Sequence, residues 1–65
     1  MKRIIKLDKL SIDITDENGQ EVLYNHLRNE YGVSKNQVWI DEDYRIWLTN
    51  KIGEKFAMIG KLVYN

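Results

Sequence analysis

The sequence predicts a small α+β domain in which one helix packs against one face of an antiparallel sheet. Three observations predict this class. Residues 3–14 alternate apolar and polar side chains, as half-buried strands do. Residues 17–31 carry apolar side chains at helical spacing, and residues 38–63 alternate again with turn residues between the apolar segments. We therefore predict a single domain over residues 1–65, with an N-terminal strand, one helix and a three-stranded antiparallel meander.

The N-terminal strand has two alternating sets of apolar residues, and the parity of the alternation changes at Asp8-Lys9. A change of parity predicts either one long strand with a β-bulge or a short hairpin with a tight turn. Asp8 and Lys9 are not the Gly or Asn residues that two-residue hairpin loops favour. The sequence therefore favours a single bulged strand over a hairpin in residues 3–14.

The helix is predicted over residues 17–31. Either Thr15 or Asp16 can accept a hydrogen bond from the free N–H groups of its first turn. Gly32 follows the helix at the place where a left-handed residue commonly ends one. At 100° per residue, the apolar side chains form a single stripe that would face the sheet. The residues of this stripe are Leu23, Tyr24, Leu27 and Tyr31.

The first hairpin of the meander is predicted to turn at a three-residue loop, Asp41–Asp43. This loop pairs Ile40 with Tyr44, which keeps the apolar residues of both strands on one face. Trp39 would then lie opposite Arg45 on the other face of the sheet. A two-residue loop would instead mix Arg45 with the apolar residues, so the pattern favours the longer loop.

The second hairpin is predicted to turn at Lys51–Gly53, because Gly occupies the position where a three-residue loop needs a left-handed residue. This loop pairs Leu48 with Phe56 and Ile46 with Met58. Together the two hairpins predict one helix-covered face of apolar residues. Its members are Val38, Ile40, Tyr44, Ile46, Leu48, Phe56, Met58 and Leu62.

The opposite face of the predicted sheet is unusual because it carries both tryptophans of the chain. A solvent-facing sheet surface normally has polar side chains at alternate positions. Trp and Arg are over-represented in binding hot spots, and an exposed apolar patch is typical of an interface. The residues of this face that we predict to bind a partner are Trp39, Arg45, Trp47, Ile59, Lys61 and Val63.

These residues predict a non-enzymatic protein-interaction module that binds a protein partner or a second copy of itself as a homodimer. Two other interpretations use the same side chains. In the first, another part of the sheet covers both tryptophans, which then line a second core. In the second, the tryptophans stack on the bases of a single-stranded nucleic acid. The phosphates would then be neutralised by Arg45, Lys55 and Lys61.

Composition argues against other classes of protein. The chain has no Cys and one His, so neither a disulfide framework nor a Cys or His metal site is predicted. It contains no nucleophile with an adjacent base and no phosphate-binding glycine motif, so we predict no enzyme activity, no cofactor and no metal. Charged residues interrupt the apolar N-terminus, which therefore resembles neither a signal peptide nor a membrane span. The lack of Cys fits a cytoplasmic location.

The charges are segregated along the chain although the formal net charge is zero. Residues 10–43 are acidic and both ends are basic. A net charge of zero is atypical of nucleic-acid-binding domains, which favours the protein-partner interpretation. The short, Lys-, Ile- and Asn-rich chain resembles in composition the small open reading frames of phages and mobile elements. That resemblance implies an inhibitor or modulator of a host protein.

Overall fold

The computed structural model describes residues 1–65 and contains one α-helix and a five-stranded antiparallel sheet. The strands form one sheet in the order β2-β1-β5-β4-β3. The predicted α+β class is confirmed, and the sheet has more strands than the meander and a single N-terminal strand would supply. In chain order the elements are β1 Arg3–Leu7, β2 Ser11–Asp13, α1 Glu17–Tyr31, a 3₁₀ turn Lys35–Gln37, β3 Val38–Ile40, β4 Arg45–Thr49 and β5 Lys55–Tyr64.

The N-terminal segment is a hairpin, so the preference for a single bulged strand was wrong. Strands β1 and β2 pair antiparallel with Ile5 opposite Ile12, and both side chains are buried. The N–H of Leu7 donates to the carbonyl of Leu10 at 2.8 Å and closes the turn. The intervening residues have negative φ angles and therefore need no Gly or Asn. Burial of the two isoleucines on one face accounts for the change of parity.

The helix has the predicted bounds. Asp16 caps its N-terminus, where the carboxylate accepts a hydrogen bond from the N–H of Gly19 at 2.9 Å. Gly32 ends the helix with a φ of 69°, and its N–H donates to the carbonyl of Arg28 at 2.9 Å. The helix is too short and too polar to cross a membrane.

The hydrophobic core lies between α1 and one face of the sheet. Leu23 and Leu27 of the predicted stripe are buried in it, whereas Tyr31 at the end of the stripe is about half exposed. Val33 after the helix is buried as well. The nine buried apolar residues form one cluster: Ile5, Ile12, Ile14, Leu23, Leu27, Val33, Ile46, Leu48 and Leu62.

The register of β3 against β4 differs from the predicted one by two residues. The structure pairs Ile40 with Ile46 rather than with Tyr44, and it pairs Trp39 with Trp47 rather than with Arg45. The loop is closed by the N–H of Asp41, which donates to the carbonyl of Arg45 at 3.0 Å.

Tyr44 explains the error. Its φ is 63°, so it is the left-handed third residue of a three-residue loop that runs from Glu42 to Tyr44. Its side chain is half exposed and does not face the core. A shift by two residues preserves the side-chain parity. The predicted apolar members of β3 and β4 therefore still share the helix-covered face.

The register of β4 against β5 was also wrong, because β5 contains two irregularities. Met58 lies opposite Trp47 instead of Ile46, and Ala57 lies opposite Leu48 instead of Phe56. The side chains of Phe56 and Met58 are 59% and 54% exposed. The prediction that both face the core was therefore wrong. Each β-bulge leaves one residue of β5 without a partner and changes which side chains face the helix.

Gly60 lies at the centre of the sheet, opposite Ile46 on one side and Leu7 on the other. A Cβ atom at this position would clash with the carbonyl oxygen of Lys6. The close approach of two backbones therefore requires glycine here, in agreement with the interruption that Gly60 makes in the apolar pattern.

Candidate functional site

The face of the sheet opposite α1 is not covered by any other element, and we call it the open face. Trp39, Trp47 and Met58 are consecutive cross-strand partners on β3, β4 and β5. They alternate with Leu48, which lies in the core, and with Val38, which packs against it, so they project from the open face. Trp39 is 53% exposed and Met58 is 54% exposed, while Trp47 between them is half-buried. We call these three side chains the aromatic row.

Trp47 is held in place by a carboxylate. Its Nε1–H donates to Asp41 Oδ2 at 2.8 Å, and Arg45 Nε donates to the same oxygen at 2.9 Å. The other oxygen accepts the backbone N–H groups of Asp43 and Arg45, both at 2.9 Å. The Asp41 side chain is only 9% exposed. The first residue of the acidic turn therefore fixes the orientation of an indole ring, which the sequence did not indicate.

The ionisation of Asp41 follows from these contacts. Burial of the carboxyl group opposes ionisation and by itself would raise the pKa. The hydrogen bonds from Trp47, Arg45 and Asp43 stabilise the charged form and hold the pKa of Asp41 well below its ordinary value. The carboxylate consequently remains ionised at neutral pH and keeps its four donors in position.

Cations lie against the tryptophan rings. The Lys55 ammonium is 5.8 Å from the centroid of the Trp39 ring and 5.3 Å from that of Trp47. The Arg45 guanidinium is 6.0 Å from the centroid of the Trp47 ring. Such distances permit a favourable cation–π interaction. The exposed faces of the indoles are therefore partly shielded by basic side chains.

A second row of the open face is basic. Arg45, Lys61 and Lys6 are consecutive cross-strand partners on β4, β5 and β1, and we call them the cationic row. The Arg45 guanidinium forms ion pairs with Asp41 at 2.9 Å and with Asp43 at 3.2 Å. These are the only ion pairs of the chain, so Lys6 and Lys61 have no carboxylate within 4.0 Å.

The structure brings together most of the predicted site. Trp39, Arg45, Trp47, Lys61 and Val63 all belong to the open face, where Val63 pairs with Ile4. The placement of Ile59 on this face was wrong. Ile59 is the unpaired residue of a β-bulge, and its side chain packs against the core cluster.

The sequence analysis missed several members of the open face, among them Met58, Ile4 and Lys6. Met58 was assigned to the core because the bulges were not visible in the pattern. Ile4 and Lys6 were missed because they join the face only through the pairing of β1 with β5, at the two ends of the chain. The second core does not form, because β1 lies in the same sheet as β5 instead of folding over the tryptophans.

The rest of the surface has fewer features that indicate a binding site. A groove between α1 and the 3₁₀ turn is lined mainly by polar residues, among them Glu21, Arg28 and Lys35. No group of three or more His, Cys, Asp or Glu side chains is arranged to hold a metal ion. Comparisons of the chain with protein-family models, with curated proteins and with solved structures find no match.

Proposed function

We propose that this chain is a non-enzymatic interaction module that binds a protein partner through the open face. The aromatic row carries the proposal, because it places two indoles and a thioether side by side on a sheet face that the helix leaves uncovered. Contiguous exposed apolar side chains on a small protein are typical of interaction sites. By its compositional resemblance, the chain would act as a phage- or mobile-element-type inhibitor or modulator of a host protein in the cytoplasm.

The arrangement around Trp47 supports this proposal. An interface hot spot is commonly a Trp, Tyr or Arg side chain surrounded by contacts that exclude water. Hydrogen bonding to Asp41 fixes Trp47 before any partner arrives, so less conformational entropy is lost on binding. Trp39 beside it supplies the exposed apolar area, and the cationic row supplies part of the polar rim.

A single-stranded nucleic acid is the second candidate ligand. The adjacent indoles with Lys55 and Lys61 nearby favour it, since stacked bases and neutralised phosphates are the usual contacts of such a site. Two observations weigh against it. Lys55 lies over the ring faces on which bases would stack, and the charge of Arg45 is already balanced by Asp41 and Asp43.

The variant Trp39→Ala tests the proposed function, because Trp39 is exposed and the fold should survive its loss. The partner is first isolated by crosslinking in a host lysate and then purified for calorimetry. Loss of a hot-spot side chain weakens binding by about 2 kcal/mol or more, which corresponds to about 30-fold in Kd. Val22→Ala is the control, since Val22 is a half-exposed apolar residue of α1.

Two results would contradict the proposal. One is a Trp39→Ala variant that binds the purified partner as tightly as the parent chain does. The other is tight binding of oligothymidylate that weakens steeply with salt, which would favour the nucleic-acid candidate because counterions are released from phosphates. Circular dichroism of both variants verifies that they remain folded.

A further inference from the structure

The structure points to an acidic protein partner, whose carboxylates lie against the cationic row and against Lys55 while an apolar side chain of the partner packs on the aromatic row. We infer this from the charge distribution of the open face. The inference rests on the proposed function and specifies the chemistry of the partner.

The cationic row is unfavourable in the isolated chain. Lys6 and Lys61 are directly opposite each other on adjacent strands, where Cβ atoms are about 5 Å apart. Like charges in this arrangement destabilise a sheet. Arg45 is the next residue in the same row, and neither lysine has a carboxylate partner within the chain. An anionic ligand would therefore relieve a repulsion that the fold itself leaves uncompensated.

The helix side of the molecule is more acidic than the open face, although Asp13 also lies on the open face because it pairs with Ile4. The side of α1 and its N-terminal cap has more exposed acidic than basic residues. The zero net charge of the chain therefore conceals an uneven distribution of charge over the surface. An acidic partner would be attracted to the open face and repelled from the helix side, which orients its approach. The exposed charged residues of the helix side are Asp16, Glu17, Glu21, Arg28 and Glu30.

A second copy of this chain is a less favourable occupant of the open face than an acidic protein is. Lys55 precedes the aromatic row along β5 and Lys61 follows it, so basic residues flank the row on both sides. In a two-fold dimer each patch contacts the same patch of the other copy. An axis along the strands would bring the cationic row against itself, and an axis across them would bring Lys55 against Lys61. Both arrangements oppose like charges.

The same geometry favours an acidic protein over a nucleic acid. The cationic row has only two lysines without a carboxylate partner, because Asp41 and Asp43 occupy Arg45. Two lysines make a short track for a phosphate backbone. Carboxylates on a partner protein need no continuous track.

The test uses three synthetic probes titrated into the ¹⁵N-labelled chain: a twelve-residue peptide of alternating Glu and Leu, the same peptide with Gln for Glu, and a twelve-residue oligothymidylate. We expect the acidic peptide to shift the indole N–H signals of both tryptophans and the amide signals of Lys6 and Lys61. We expect Lys6→Gln and Lys61→Gln each to weaken its binding several-fold. Lys35→Gln is the matched control, because Lys35 is an exposed lysine on the 3₁₀ turn.

The free variants give a second measurement. Lys61→Gln removes one charge of the opposed Lys6–Lys61 pair, so its melting temperature should rise while its affinity for the acidic peptide falls. A lysine with only a structural role would not show both changes together. Equal binding of the Glu and Gln peptides overturns the inference, as does tighter binding of the oligothymidylate. Unchanged affinity of Lys6→Gln and Lys61→Gln for the natural partner also overturns it. If Trp39→Ala still weakens that partner, the proposed function stands without the inference.

Discussion

Replacement of Leu27 by Ala should remove most of the stability of the domain. Leu27 is 1% exposed and lies in the core cluster between α1 and the sheet. The substitution removes about three buried methylene equivalents at about 0.8 kcal/mol each. The cavity left behind adds to this, so a total loss of about 2–5 kcal/mol is expected. Leu and Ala have similar helix propensities, so the loss reports packing and not helix formation.

That loss is large because the domain is small. A single core in a chain of this length supplies roughly 3–5 kcal/mol in total. Each 1 kcal/mol shifts the melting temperature of such a domain by about 4–8 °C. Thermal and urea unfolding followed by circular dichroism should therefore show a variant that is largely unfolded or melts at least about 10 °C lower.

Val22→Ala is the matched control on the same helix. Its side chain is 54% exposed, so truncation should change the free energy of unfolding by no more than about 0.5 kcal/mol. His26→Ala should likewise have a small effect. A Leu27→Ala variant with the cooperative melt of the parent chain would show that α1 does not pack on the sheet through this side chain.

Two further predictions concern Gly60 of β5 and Asp41 beside the open face. Gly60→Ala should destabilise the pairing of β1 with β5 by about 1–3 kcal/mol, because the new Cβ would clash with the Lys6 carbonyl; urea unfolding measures the loss, and hydrogen exchange locates it. Asp41→Asn should free the Trp47 indole, which would change its N–H chemical shift and fluorescence. The pKa of Asp41 is depressed in the folded chain, so its stabilising effect is complete above the ordinary value of 3.8 and is lost as the pH falls toward the lower folded pKa.

The acid dependence has its own control. The Asp13 pKa is also lowered, chiefly by the side-chain hydrogen bond from Thr15, so part of the acid sensitivity should persist in Asp41→Asn. Asp43→Asn should behave like the parent chain, because the Asp43 side chain is 72% exposed. The same acid-unfolding profile for Asp41→Asn and for the parent chain would refute the role given to Asp41. Unchanged amide protection across β1 and β5 in Gly60→Ala would refute the close approach of the two strands.

The helix shows what local sequence determines by itself. Its start depends on the carboxylate of Asp16, which accepts a hydrogen bond from the backbone N–H three residues later. Its end depends on Gly32, which adopts a left-handed conformation. The stripe that contains Leu23 and Leu27 follows from the helical period alone. Each of these features depends on residues only a few positions apart along the chain, so each can be predicted without knowledge of the rest of the fold.

The open face shows what only the tertiary structure decides. A strand pattern has a period of two, so a register shift of two residues leaves every apolar side chain on the same face. The pattern therefore predicted correctly that Trp39 and Trp47 share a face, but it paired Trp39 with Arg45. The observed pairing depends on the left-handed Tyr44 and on the Asp41 carboxylate that orders the turn.

The cationic row is the feature furthest from the local pattern. Lys6 and Lys61 are neighbours only because β1 pairs with β5. Arg45 joins them only because the two bulges of β5, at Phe56 and at Ile59, together shift its register against β4 by two residues. Strand order and bulges are set by the packing of the whole sheet, where burial of the core outweighs the repulsion between two lysines. The sequence by itself determined which residues are apolar and where the helix lies, and the packing of distant strands decided which charges stand beside the tryptophans.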